Sequence, residues 1–138
     1  MKTNWCFILL FLFILGSCKK EQETASFGLN QEVTLKTGDI LSSKSENLSV
    51  KVLKISDSRC AIGVVCVWQG EATVTLEVKE TSSFDEAIGT VILSTFHQQV
   101  DTVNNFILKL IDVLPYPKYG VEVPDSEKSV VLKISRLK

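Results

Sequence analysis

Apolar and polar residues alternate with period two through most of the chain after residue 26, the mark of strands with one buried and one wet face. The clearest case follows Gly70: Ala72, Val74, Leu76 and Val78 fall on one side, with Glu71, Thr73, Thr75, Glu77 and Lys79 on the other. Residues 129–137 repeat it, with Val130, Leu132 and Ile134 inward. Residues 27–35 alternate more loosely, with Val33 and Leu35 on one face, and stop at the turn residues Thr37-Gly38-Asp39. Residues 46–56 begin with Leu48, Val50 and Val52 in one phase and continue with Leu53 and Ile55 in the other. That switch predicts either a β-bulge at Val52-Leu53 or a strand buried on both faces.

Residues 89–96 are rich in β-branched side chains. Residues 106–114 are apolar on both faces except at Lys109 and Asp112, which suits a central strand ended by Pro115-Tyr116-Pro117. Polar residues 81–86 and 97–105 read as connections: the region of 83–87 has room for one helical turn at most, and Asn104-Asn105 is a turn signal. With no convincing helix, the expected fold is all-β. It is a single antiparallel β-sandwich or small β-barrel of about six to eight short strands over residues 27–138.

The first 26 residues stand outside that pattern. Lys2 precedes an unbroken apolar run over residues 5–15, too short to cross a hydrocarbon core about 30 Å thick but suited to a secretory signal. Leu15-Gly16-Ser17-Cys18 resembles a bacterial lipobox. The resemblance implies a lipoprotein signal peptide over residues 1–17, cleavage before Cys18, and acylation of that cysteine as the membrane anchor. Several acyl chains, at about 0.8 kcal/mol per buried CH2, hold a protein far more firmly than one. Residues 18–26 are polar and read as a lipidated tether. Their charged start resembles the surface-export signal of Bacteroidetes lipoproteins, which places the protein in the cell envelope, at the outer membrane, on its periplasmic or surface face.

Composition changes this picture little. In 138 residues there are 15 basic and 16 acidic side chains, a formal net charge of −1, and cleavage of the leader removes Lys2 as well. No clustered basic face is present to bind nucleic acid. The four cysteines are more informative. Cys6 belongs to the leader and Cys18 takes lipid, so Cys60 and Cys66 remain as an even pair in an oxidising compartment and are expected to form a disulfide. Metal binding is the alternative, but two thiolates need further ligands and the chain offers only the sequence-distant His97. No metal or cofactor is expected.

The cysteines sit in the stretch that concentrates the rare residues: Asp57-Ser58-Arg59-Cys60, then Cys66-Val67-Trp68-Gln69-Gly70. It resembles a motif of small bacterial secreted proteins and lipoproteins of unknown function, aspartate-serine-arginine-cysteine-proline followed by cysteine-valine-tryptophan-alanine-glycine. Asp112-Val113-Leu114-Pro115-Tyr116-Pro117 fits the same family's pattern, so the likeness covers most of residues 27–138. Ala61 stands where proline is usual and Gln69 where alanine is usual, departures that bear on the rigidity of the loop. The resemblance transfers no activity. Physically, Asp57 and Ser58 suit a turn, and Arg59 suits bidentate pairing with Asp57 or with a carboxylate on a neighbouring strand. Trp68 fits either of two roles: packing over one end of the core, or acting with the apolar residues 61–65 as an exposed anchor.

Catalytic patterns are sparse. His97 has only Gln98-Gln99 beside it, and Asp85-Glu86 lie in a polar connection. No phosphate loop, nucleophile elbow or zinc spacing occurs. The expected function is therefore a non-catalytic binding or structural-interaction module, anchored to membrane through Cys18 and engaging an envelope protein partner. The alternatives are a small envelope hydrolase using carboxylates, and an inhibitor or accessory subunit presenting the Cys60 to Cys66 loop.

Overall fold

The computed structural model describes residues 24–80 and 87–137. The leader, Cys18 and most of its tether, Asp85-Glu86 and the helical turn expected near 83–87 lie outside them. Nine strands occur among the described residues: β1 (Thr24–Ser26), β2 (Glu32–Lys36), β3 (Ile40–Ser43), β4 (Leu48–Asp57), β5 (Ala72–Glu80), β6 (Ala87–Ser94), β7 (Val100–Val103), β8 (Phe106–Leu114) and β9 (Ser129–Arg136). They form two sheets, ordered β1-β3-β4-β5-β6 and β2-β9-β8-β7. All neighbours run antiparallel except β1 and β3. The two sheets keep separate orders, which makes the fold a sandwich and decides against the barrel.

The inner faces are those the alternation marks. Val74, Leu76 and Val78 of β5 meet Leu108, Leu110, Leu132 and Ile134 of the opposite sheet in one buried apolar cluster. Three strands go beyond the sequence pattern. β1 occupies the end of the stretch read as tether, so strand pairing begins at Thr24. β3 and β7 are four residues each, and β7 is an edge strand facing mostly outward, so its composition is that of a loop. Asn104 takes a positive φ of 50° in the two-residue turn that joins β7 to β8, the turn its sequence signals.

Two bulges shape the end of the sandwich where the conspicuous residues lie. In β4 the register against β5 shifts between Val52 and Lys54, leaving Leu53 partly exposed and returning Ile55 to the core. The same shift turns Asp57 to the inner face, since without it Ser56 would point inward. In β8 the register against β9 shifts between Leu110 and Asp112, so Ile111 faces solvent and Val113 is buried. In the run of 106–114 the second bulge is marked only by Asp112, which without it would share the buried phase of Phe106, Leu108 and Leu110.

Candidate functional site

The β4–β5 connection, the β6–β7 connection and the exit from β8 all gather at this end of the sandwich. At its base Arg59 is satisfied on every side. Its Nε and Nη2 donate to the two carboxylate oxygens of Asp57 at 2.9 and 2.7 Å, a bidentate pair. Nη2 also donates to the Val113 carbonyl at 2.6 Å, and Nη1 to Asp112 Oδ1 at 3.2 Å. The guanidinium lies over the Tyr116 ring, 4.3 Å from its centroid. The Asp57 carboxylate further accepts from the Arg59 backbone N–H at 3.0 Å, closing the turn expected there. Both side chains are only 6% exposed. Burial pulls the Arg59 pKa down, but the hydrogen bonds and charge of Asp57, helped by Asp112, more than offset it and leave the group held above its ordinary value.

Asp57 ends β4 and Arg59 follows it out of the first sheet; Asp112, Val113 and Tyr116 belong to the other sheet or to its exit. The two motif segments, more than fifty residues apart, are thus two halves of one inter-sheet clamp.

Above the clamp the loop is stapled in three ways. Cys60 and Cys66 are joined in a disulfide, with Cα atoms 6.0 Å apart. Ser58 N–H and the Cys60 N–H donate to the carbonyls of Glu71 and Gln69, at 2.9 and 2.7 Å. Ile62 N–H donates to the Pro117 carbonyl at 2.9 Å, and Tyr119 N–H to the Ile62 carbonyl at 3.1 Å, so the loop is pinned to the segment leaving β8. The chain-entropy model assigns such a short disulfide loop about 2 kcal/mol. A Cys60→Ser, Cys66→Ser variant is therefore expected to stay folded and to lose about that much in urea unfolding. A loss above about 4 kcal/mol would mean the bridge supports the core itself.

Trp68 does not join the clamp. It is 71% exposed, and Val65 and Val67 are fully exposed beside it. Trp68, Val67 and Phe96 border a shallow hollow over the disulfide; Ile62, Tyr119 and Val121, exposed where the loop meets the segment leaving β8, are further apolar side chains at this end. At the rim His97 Nδ1 is 2.9 Å from Glu71 Oε2, and this hydrogen bond, with one from Ser94, lowers the Glu71 pKa. The sequence-marked trio therefore divides: Asp57 and Arg59 are the base, and Trp68 is part of an exposed tip. Phe96, Tyr116 and Tyr119 were not marked as site residues; only the proline-flanked Tyr116 carried a motif signal.

Comparison of the chain with protein-family models, curated proteins and solved structures finds no match. The likeness to small bacterial lipoproteins rests on its motif residues alone.

Proposed function

We propose that the protein is a lipid-anchored cell-envelope β-sandwich, tethered through Cys18 at the outer membrane, that works as a non-catalytic interaction module. Its contact face is the tip carried by the Cys60–Cys66 loop. One observation carries this reading: Val65, Val67 and Trp68 stand in solvent on a loop that the disulfide, the backbone pins and the clamp hold in place. Contiguous exposed apolar surface on a small domain marks a place of contact, and a braced loop loses little conformational entropy on engagement. Asp57 and Asp112 are both engaged by Arg59, so a hydrolase reading would have to draw on other groups: Glu122 and Asp125, which line an open hollow with Asp57, or Glu71 beside His97.

Oxidative footprinting tests the contact. In intact envelopes Trp68 and Val67 are expected to be protected relative to the same chain freed in solution, with Ile92, exposed on an edge strand, as the unprotected reference. Equal oxidation of Trp68 in both states would falsify the interaction-module reading.

A further inference from the structure

Thr24, the first described residue, opens toward the end of the sandwich that carries the tip. β1 pairs in parallel with β3, placing Thr24 beside Ile40, and Ile40 pairs with Lys51 of β4. Followed backwards to Thr24, β1 therefore heads in the direction in which β4 advances from Lys51 to Asp57 and on to the Cys60–Cys66 loop. Lengths sharpen this. Six peptide steps join Cys18 to Thr24, a reach of about 20 Å at most. The six steps from Lys51 to Asp57 rise roughly 20 Å, or slightly less because of the bulge. A fully extended tether thus brings Cys18 about level with Asp57, and the loop projects beyond Asp57.

The chemistry of the tip suits a lipid interface. From Cys60 through Gly70 there is no charged residue, so immersion removes no charge from water. Backbone groups at Cys60, Ile62 and Val64 are bonded within the protein, which lowers the cost of leaving water further. Trp68 and Tyr119 are exposed here, and both residue types favour the layer between headgroups and acyl chains. Glu71, hydrogen-bonded to His97, and Lys118, bridged to Ile62, stand beside the tip rather than on it.

We infer that the tip of the Cys60–Cys66 loop, led by Val65, Val67 and Trp68, rests in the interfacial layer of the bilayer that holds the Cys18 anchor. The inference depends on the lipoprotein reading and names the occupant of the proposed contact face. The acyl chains supply most of the attachment; the tip fixes the orientation, setting the sandwich end-on with the β1–β3–β4 end toward the lipid.

The sequence supplies its own probe. After cleavage of residues 1–17, which takes Trp5, Trp68 is the only tryptophan. The mature chain is purified, its acylation at Cys18 read by mass, and reconstituted in vesicles of phosphatidylethanolamine and phosphatidylglycerol, with and without brominated acyl chains. The expected result is Trp68 emission roughly halved by the brominated lipid and shielded from aqueous iodide. In Val67→Asp, a change at a fully exposed position, iodide access returns while the chain stays bound. An acylated chain whose Trp68 is open to iodide overturns the bilayer contact and leaves the lipoprotein reading standing. A mature chain without acyl groups overturns both. Trp68 shielded in envelopes but open in these vesicles also overturns the bilayer contact, and assigns the face to a protein partner.

Discussion

Arg59→Met is expected to cost about 3–5 kcal/mol of folding stability, the largest loss of any single surface-loop substitution in this protein. The reason lies in what is left behind. Asp57 is as buried as its partner, and without the guanidinium its carboxylate keeps only the hydrogen bond from the Arg59 backbone N–H. The Val113 carbonyl loses its charged donor, and Tyr116 loses the cation over its ring. Since a domain of this size is held by only about 5–15 kcal/mol, such a loss leaves a fraction unfolded at modest urea concentration.

Arg59→Lys should recover only part, because an ammonium cannot span both Asp57 oxygens and the opposite sheet at once. Adding Asp57→Asn to Arg59→Met should recover more, since the orphaned charge is removed with its partner. The measurement is the urea midpoint of the three variants at constant slope. A loss below about 1 kcal/mol for Arg59→Met would show that the sheets hold together at this end without the clamp.

The clamp explains why an apolar tip can be presented without collapsing onto the core. Exposed valines and a tryptophan on an unsupported loop would fold back and cover themselves. Here the loop's base is tied to both sheets, its middle to the segment leaving β8, and its ends to each other. Stability chemistry and contact chemistry therefore occupy adjacent residues of one motif, with Arg59 facing in and Trp68 facing out. Of the two roles open to Trp68, packing over the core and exposure, the structure has the second, while Asp57 and Arg59 keep the paired role.

How much of this was legible beforehand follows from the physics of each signal. Alternation over β5 and β9 reports burial directly, so those strands and their core residues can be read from the chain. The phase switch at Val52-Leu53 reports the β4 bulge, because a polar strand face makes the slip visible. The β8 bulge leaves one faint trace, Asp112 falling in the phase of Phe106, Leu108 and Leu110, within a run otherwise apolar on both faces. β7 is invisible for the opposite reason: an edge strand facing solvent has no burial to report. The bidentate Asp57–Arg59 pair is local and was open to inference from spacing alone. Its extension to Asp112, Val113 and Tyr116 needs the two sheets to be packed, which no local spacing reports. Exposure of Trp68 is a tertiary fact, set by how the loop leaves β4, and no periodicity encodes it.

Gly70→Ala is expected to be the second most damaging change, costing about 3 kcal/mol or more. Gly70 sits at a φ of +64°, where an L-residue loses roughly 1–2 kcal/mol from backbone strain alone. Strain is the smaller part. A Cβ added there would overlap the carbonyl carbon and oxygen of Ser58, which are main-chain atoms and cannot rotate aside. The Ser58 backbone in turn is fixed by its N–H and hydroxyl, both donating to the Glu71 carbonyl. Relief therefore requires the two arms of the loop to separate just above Asp57 and Arg59, loosening the clamp and the tip together. Gly120 supplies the comparison: its φ is +73°, but nothing lies within 4 Å of where its Cβ would stand. Gly120→Ala should cost only about 1 kcal/mol. Urea unfolding of the two variants separates overlap from strain, and equal losses would mean that the close approach of Gly70 to Ser58 contributes nothing. Hydrogen exchange at Cys60, whose N–H bonds to Gln69, should rise in Gly70→Ala and stay unchanged in Gly120→Ala, tying the loss to the neck of the loop.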